Sequence, residues 1–144
     1  MLIRLDGRVV MQPTKVVLRY TNGKVIKGFT QNFSPTRKDF HFLPVDNKEG
    51  SAEPIKISVN ELKAIFFVRD FTGNALYNEL KDFNGERPSG RKVEVKFLDG
   101  EVMVGSTLCY ESNRSGFFIF PADPKSNNLK AFIVNSAVIR VEYR

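Results

Sequence analysis

The chain has no tryptophan, one cysteine and one histidine among its 144 residues. With Cys109 alone, an intrachain disulfide framework and cysteine-rich metal sites are excluded, and a reducing, cytoplasmic setting is expected. His41 stands among phenylalanines, so a structural role is expected in place of general-base work, which requires a positioned partner. No segment approaches the ~20 consecutive apolar residues of a membrane-spanning helix. The start, Met1-Leu2-Ile3-Arg4 and then Asp6-Gly7, lacks the apolar run of a signal peptide. Acidic residues show neither metal-ligand spacing nor a paired-carboxylate pattern. The glycines lack the strand-loop-helix context of a phosphate loop. No catalytic residue, metal or cofactor is assigned, and the chain is read as non-enzymatic.

What the chain does contain is a repeat. Asn22-Gly23 with Gly28 returns 77 positions later as Asp99-Gly100 with Gly105 (100 − 23 = 77; 105 − 28 = 77). Residues 15–46 lie over 92–123 without a gap, with identities that include Val16/Val93, Val25/Val102, Thr30/Thr107, Phe40/Phe117, Pro44/Pro121 and Asp46/Asp123. Matching Val59-Asn60 with Val134-Asn135 lowers the offset to 75, as though two residues were lost from the loop after Asp46. Each half, near 60 residues, is small for independent stability, so the halves are expected to pack on each other.

Alternation in Val16, Leu18, Tyr20 and in Val93, Val95, Phe97 predicts half-buried strands. The Asx-Gly dipeptides predict type I′ hairpin turns, and Gly28 and Gly105 predict bends in the return strands. Third strands are expected at 40–43 and 117–120, and two more follow in each half at 55–59 with 63–68 and at 131–134 with 138–143. Five short strands per half without alternating helices describe a small β-barrel. Leu5-Asp6-Gly7-Arg8-Val9-Val10 reads as an extra hairpin. Between the halves, Asn74 can cap a short helix that carries Leu76, Tyr77, Leu80 and Phe83 on one face. The expected organisation is thus a first barrel with its N-terminal extension over 1–70, a connector over 71–91 and a second barrel over 92–144.

Charge is uneven. The net +6 divides into +5 over residues 1–70, −1 over 71–90 and +2 over 91–144. Lys15, Arg19, Lys24 and Lys27 make the first hairpin a candidate nucleic-acid patch of weak, salt-sensitive type. Arg37 with Asp46, and Arg114 with Asp123, flank the third strand at equal spacing and read as ion pairs or turn anchors. Thirteen phenylalanines are many for two small barrels. Neighbouring strand residues face opposite sides, so one of Phe66 and Phe67, and one of Phe117 and Phe118, must leave its own barrel.

The run Val93-Glu94-Val95-Lys96-Phe97-Leu98-Asp99-Gly100, followed by Gly105, resembles the first half of an Sm-like domain, a five-stranded SH3-type barrel, and both repeats share the likeness. Glu111 fits that family's acidic position, where the first copy has Ser34. Ser115 and Lys38 stand where its RNA-contacting Asn would be, and Val141 follows Arg140 where its Gly would be. The resemblance implies the fold and not the RNA pocket, and it is nearest to bacterial tandem domains of this Sm-like type. PilZ domains, β-barrels that bind cyclic di-GMP, supply a second resemblance through Arg87 and Arg91 before a strand and Asn113, Arg114 and Ser115 after it. Arg4, Arg8, Asn32 and Ser34 give the mirror case in the first copy. It implies arginine forks on phosphate.

The leading expectation is a cytoplasmic binding or regulatory module that meets a protein partner or a second copy of itself, without a membrane. A cyclic di-GMP sensor and a weak RNA binder are the alternatives.

Overall fold

In a computed structural model of the protein, residues 2–5, 8–11, 14–30, 32–45, 53–72, 90–123 and 125–144 are described, with side chains from residue 14 onward. The connector residues expected to be helical, together with Arg87 and Asp46, lie outside the described residues. The chain is all-β. Strands β1 (Leu2–Leu5) and β2 (Arg8–Met11) form the expected N-terminal hairpin, with Leu5 opposite Arg8. The remaining strands form one antiparallel sheet of ten that does not close on itself.

The first half of that sheet holds β3 (Thr14–Tyr20), β4 (Val25–Thr30), β5 (Asp39–Pro44), β6 (Ile55–Ser58) and β7 (Leu62–Val68). The second holds β8 (Arg91–Phe97), β9 (Val102–Thr107), β10 (Gly116–Pro121), β11 (Asn128–Val134) and β12 (Val138–Tyr143). Neighbours run β12-β8-β9-β10-β11-β7-β3-β4-β5-β6, so each half lays its strands down in the same relative order and β11 on β7 joins them.

Both hairpin turns differ from the expected two-residue type. Gly23 N–H donates to Tyr20 O at 3.1 Å and Tyr20 N–H to Lys24 O at 2.9 Å; Gly100 and Phe97 repeat the scheme at 3.0 and 2.9 Å. These are three-residue loops that close on a glycine with φ of +92° in each case, a geometry in which one left-handed residue suffices. The Asx side chain holds the loop from inside. Asn22 Oδ1 accepts from Lys24 N–H, and Asp99 Oδ1 from Glu101 N–H, both at 2.9 Å. Gly28 and Gly105 are needed in the return strands for a different reason, since a Cβ there would stand 2.2 Å from Leu43 O or 2.3 Å from Phe120 O. Only hydrogen fits where the strands cross so closely.

The second-half register also departs from the sequence match. Ile57 pairs with Phe40 while Ile133 pairs with Phe117, and Val59 N–H donates to Lys38 O while Asn135 N–H donates to Ser115 O. Val59 therefore corresponds to Asn135 and the offset is 76 (133 − 57 = 76), one residue lost and not two. The repeated Val-Asn dipeptide was a coincidence of composition. Backbone pairing around the 3-10 turns, Val59–Glu61 and Asn135–Ala137, decides the correspondence.

Two apolar clusters lie on opposite faces of the sheet. One gathers Val16, Leu18, Phe40, Phe42, Ile57, Ile65 and Phe67 with Phe132 and Val134 from the second half. The other gathers Val93, Val95, Phe97, Phe117, Ile119 and Ile133 with Ala64, Phe66 and Val68 from the first. All seven residues of β7 are buried, because each face of this strand belongs to a different core. The expectation for the phenylalanines is met at this junction: Phe66 and Phe67 divide between the clusters, as do Phe117 and Phe118. Phe33, Phe118 and Phe132 pack edge to face there, with centroids 5.0–6.3 Å apart. Full burial of one such ring is worth about 2–3 kcal/mol.

Candidate functional site

Where the second half folds against the outer face of β3 and β7, a cleft of about 330 Å3 remains. Phe66, Val68, Ile119 and Ala131 line it together with Val17, Val102, Met103 and Val104. Arg19 and Glu101 also line it, as do Asn127 and Asn128. Alternation along β3 puts Val17 on the face turned away from the first core, and β7 presents Phe66 and Val68 there for the same reason.

Charged groups around Glu101 tie the halves together. Lys63, whose side chain is only 8 % exposed, reaches from β7 to Asp99 at 2.7 Å and Glu101 at 2.5 Å, with its ammonium 4.5 Å from the Phe97 ring centroid. Its hydrogen bond, seconded by Glu101 N–H, holds the Asp99 carboxyl below its ordinary pKa. Arg19 lies over the Phe66 ring at 5.2 Å and touches Glu101 loosely at 3.6 Å. Asn127 exchanges two hydrogen bonds with the Asp70 backbone, at 2.8 and 3.1 Å, and so fixes the exit of β7.

Of the basic residues singled out in the first hairpin, Lys15, Arg19 and Lys27 share the Val17 face, opposite Phe29, Val25 and Val17 respectively. Lys27 Nζ donates to Phe71 O at 2.8 Å and Lys15 lies 5.8 Å from the Phe71 ring. Lys24 stands apart in the turn, 5.5 Å from the Tyr20 ring.

Of the residues behind the cyclic-dinucleotide resemblance, Arg91 and Arg114 each have another partner. The Arg91 guanidinium stacks 4.0 Å above Tyr143 of β12. Arg114 is taken by Glu111 at 2.5 Å in its own loop, where the Asn135 carboxamide ties Glu111 O and Arg114 O. Among the described residues, no hydrogen bond or ion pair joins Arg91 to Asn113, Arg114 or Ser115. Asp123 is buried and anchors its turn by accepting from Lys125 N–H at 2.9 Å.

His41 is exposed on β5, its Nδ1 3.1 Å from Asn32 Nδ2, while its backbone N–H donates to Asn32 Oδ1 at 3.0 Å. This is a loop clamp, in line with the structural role expected for it. Among the described residues no group of three or more His, Cys, Asp or Glu side chains is placed to hold a metal. No helix there is long and apolar enough to cross a membrane.

Sequence reasoning found the individual walls of the cleft as strands but not the cleft itself. Its lining comes from five strands, and the one local signal was the uninterrupted Ala64-Ile65-Phe66-Phe67-Val68, too apolar for a strand with one wet face. No curated protein and no solved structure matches the chain. A family model covers residues 12–143, nearly its whole length, and by that match the chain belongs to a family of unknown function, DUF6982.

Proposed function

We propose that the protein is a non-enzymatic, cytoplasmic binding module that recognises a protein partner through the cleft at the junction of its halves. The observation that carries this reading is a cleft between two packed units, lined by apolar side chains and by the polar groups of Arg19, Glu101, Asn127 and Asn128, the setting in which ligand sites concentrate. In the same reading each half is a small Sm/SH3-like barrel. Its support is the shared order, in which the fifth strand pairs with the first and the first to fourth follow in sequence. The outer sheet edges are weaker docking candidates. Strand β6 has only four residues and carries Lys56, and β12 carries Arg140 and Glu142, features that discourage strand addition. A cyclic-dinucleotide site is less favoured, because Arg114 is bound to Glu111 and Arg91 to Tyr143.

The test is titration of isotope-labelled protein with small apolar fragments, cyclic di-GMP and a short RNA. Fragments are expected to move the resonances of Val17, Met103, Ile119 and Ala131, and Val17→Phe to weaken them by narrowing the cleft. Fragment binding confined to other surfaces, or calorimetric binding of either nucleotide without change at these residues, would overturn the reading.

A further inference from the structure

Strand β9 is paired unequally on its two sides. Along β8 its ladder runs the full length, from Arg91 opposite Thr107 to Lys96 opposite Val102. Along β10 the pairing consists of Ser106 with Phe120 and Gly105 with Pro121, and stops there. In the first half the corresponding pairing runs one residue further, because Val45 N–H donates to Lys27 O at 2.9 Å. Val102, Met103 and Val104 therefore border the cleft with no strand on that side among the described residues, and all three line it. Strand backbone that has no partner on this side among the described residues, beside the apolar side chains of the cleft, is suited to an extended chain. Main-chain hydrogen bonds supply affinity and alternate side chains enter the cavity.

Direction and charge narrow the occupant. β10 runs antiparallel to β9, so a segment that took over its place would run toward Glu101 and end beside Arg19. There Glu101 is held by Lys63 at 2.5 Å, whereas Arg19 reaches it only at 3.6 Å and is 45 % exposed. Arg19 can turn to an incoming carboxylate without leaving Glu101 unpaired. Lys15 and Lys27 on the same face add positive potential.

We propose that the cleft receives an extended peptide segment that continues the β9 ladder beyond Gly105 and places an acidic C-terminal end at Arg19. This inference rests on the reading of the cleft as a protein-binding site. Three residues of strand span about 10 Å, so the segment is short, and single-stranded nucleic acid is the competing class.

The probes are two pools of N-acetylated hexapeptides that alternate Ser or Thr with Val, Ile, Leu or Phe. One pool ends in Asp or Glu with a free carboxylate, the other in amidated Lys or Arg. The acid-ended pool is expected to shift the Val102 and Val104 amides, which alternation turns away from β8, and slow their hydrogen exchange, and to bind at least tenfold more tightly than the basic pool. N-methylation of alternate peptide amides should abolish the effect, and Arg19→Gln should weaken it about tenfold while thermal melting confirms the fold. Equal binding by the basic or N-methylated pool overturns the proposal, as does an unchanged β9 edge with every peptide, or displacement by octathymidine at equal concentration. If apolar fragments still enter the cleft while peptides do not, this inference alone falls; if neither enters, the binding reading falls with it.

Discussion

The outward face that β3 and β7 turn toward the second half carries Val17, Ala64, Phe66 and Val68, and the corresponding face of β8 and β12 carries Glu94, Arg140 and Glu142, with Arg144 just beyond β12. At the other side of the junction, Phe118, Phe132 and Val134 of β10 and β11 enter the first core, where the positions in β5 and β6 hold His41, Lys56 and Ser58. Two halves with the same strand path thus differ at the surfaces where a further unit would attach. The difference teaches that the path alone does not make the halves adhere. At these matched positions apolar side chains stand where contact occurs and charged or polar ones where the sheet ends, the usual protection of a free edge, although Ile55 and Ile139 are exposed on the end strands.

Giving the junction the chemistry of the free end should have the largest effect. Phe132→Lys imports the residue of position 56 into a site 1 % exposed. Loss of the ring plus an unpaired buried charge should cost about 4 kcal/mol or more, read by denaturant unfolding. Lys56→Phe at the exposed end should change stability by less than about 0.5 kcal/mol. Similar losses at both positions would erase the distinction between junction and end.

The reverse exchange, Lys56→Phe and Ser58→Val with Arg140→Ala and Glu142→Phe, gives both ends junction residues. Sedimentation velocity should then show head-to-tail association that grows with concentration and is absent in the parent chain. A parent chain that associates equally would mean the charged ends do not protect it.

Gly28→Ala and Gly105→Ala probe a feature that the halves share. Each new Cβ would press on a backbone carbonyl, at 2.2 and 2.3 Å, and the expected loss is about 1–3 kcal/mol at either site. A tolerated substitution in one half alone would show that the strand crossings differ.

The smallest effect concerns Asp99. Its folded-state pKa is depressed by Lys63, so its contribution is present above the unfolded carboxylate value and is lost as pH falls through the lower folded value. Asp99→Asn should therefore be less stable than the parent near neutrality, and the two should converge under acid conditions. A constant difference across that range would assign the cost to turn geometry.

Much of the strand plan was legible because alternation and Asx-Gly turns are local signals. The turn type was not, since one left-handed glycine at the end of a three-residue loop leaves the same dipeptide in sequence as a two-residue turn. The offset of 76 was hidden because Val59-Asn60 and Val134-Asn135 look alike while backbone pairing sets Val59 against Asn135. The role of Lys63 left no local signal, because its partners lie 36 and 38 positions away in the other half. The cleft was illegible for the same reason, because no single segment contains more than one wall of it.

Strands β7 and β11 are a wall common to both cores, and a shared wall should make the two halves unfold as one. Cutting the chain between the halves would strip Phe132 and Val134 from one core and Phe66 and Val68 from the other. Neither fragment would keep a complete interior, so neither has an unfolding equilibrium of its own to report. Heating the intact chain should give one transition whose calorimetric and van't Hoff enthalpies agree. In energetic terms neither half is autonomous, and a substitution in β7 should be felt throughout the molecule.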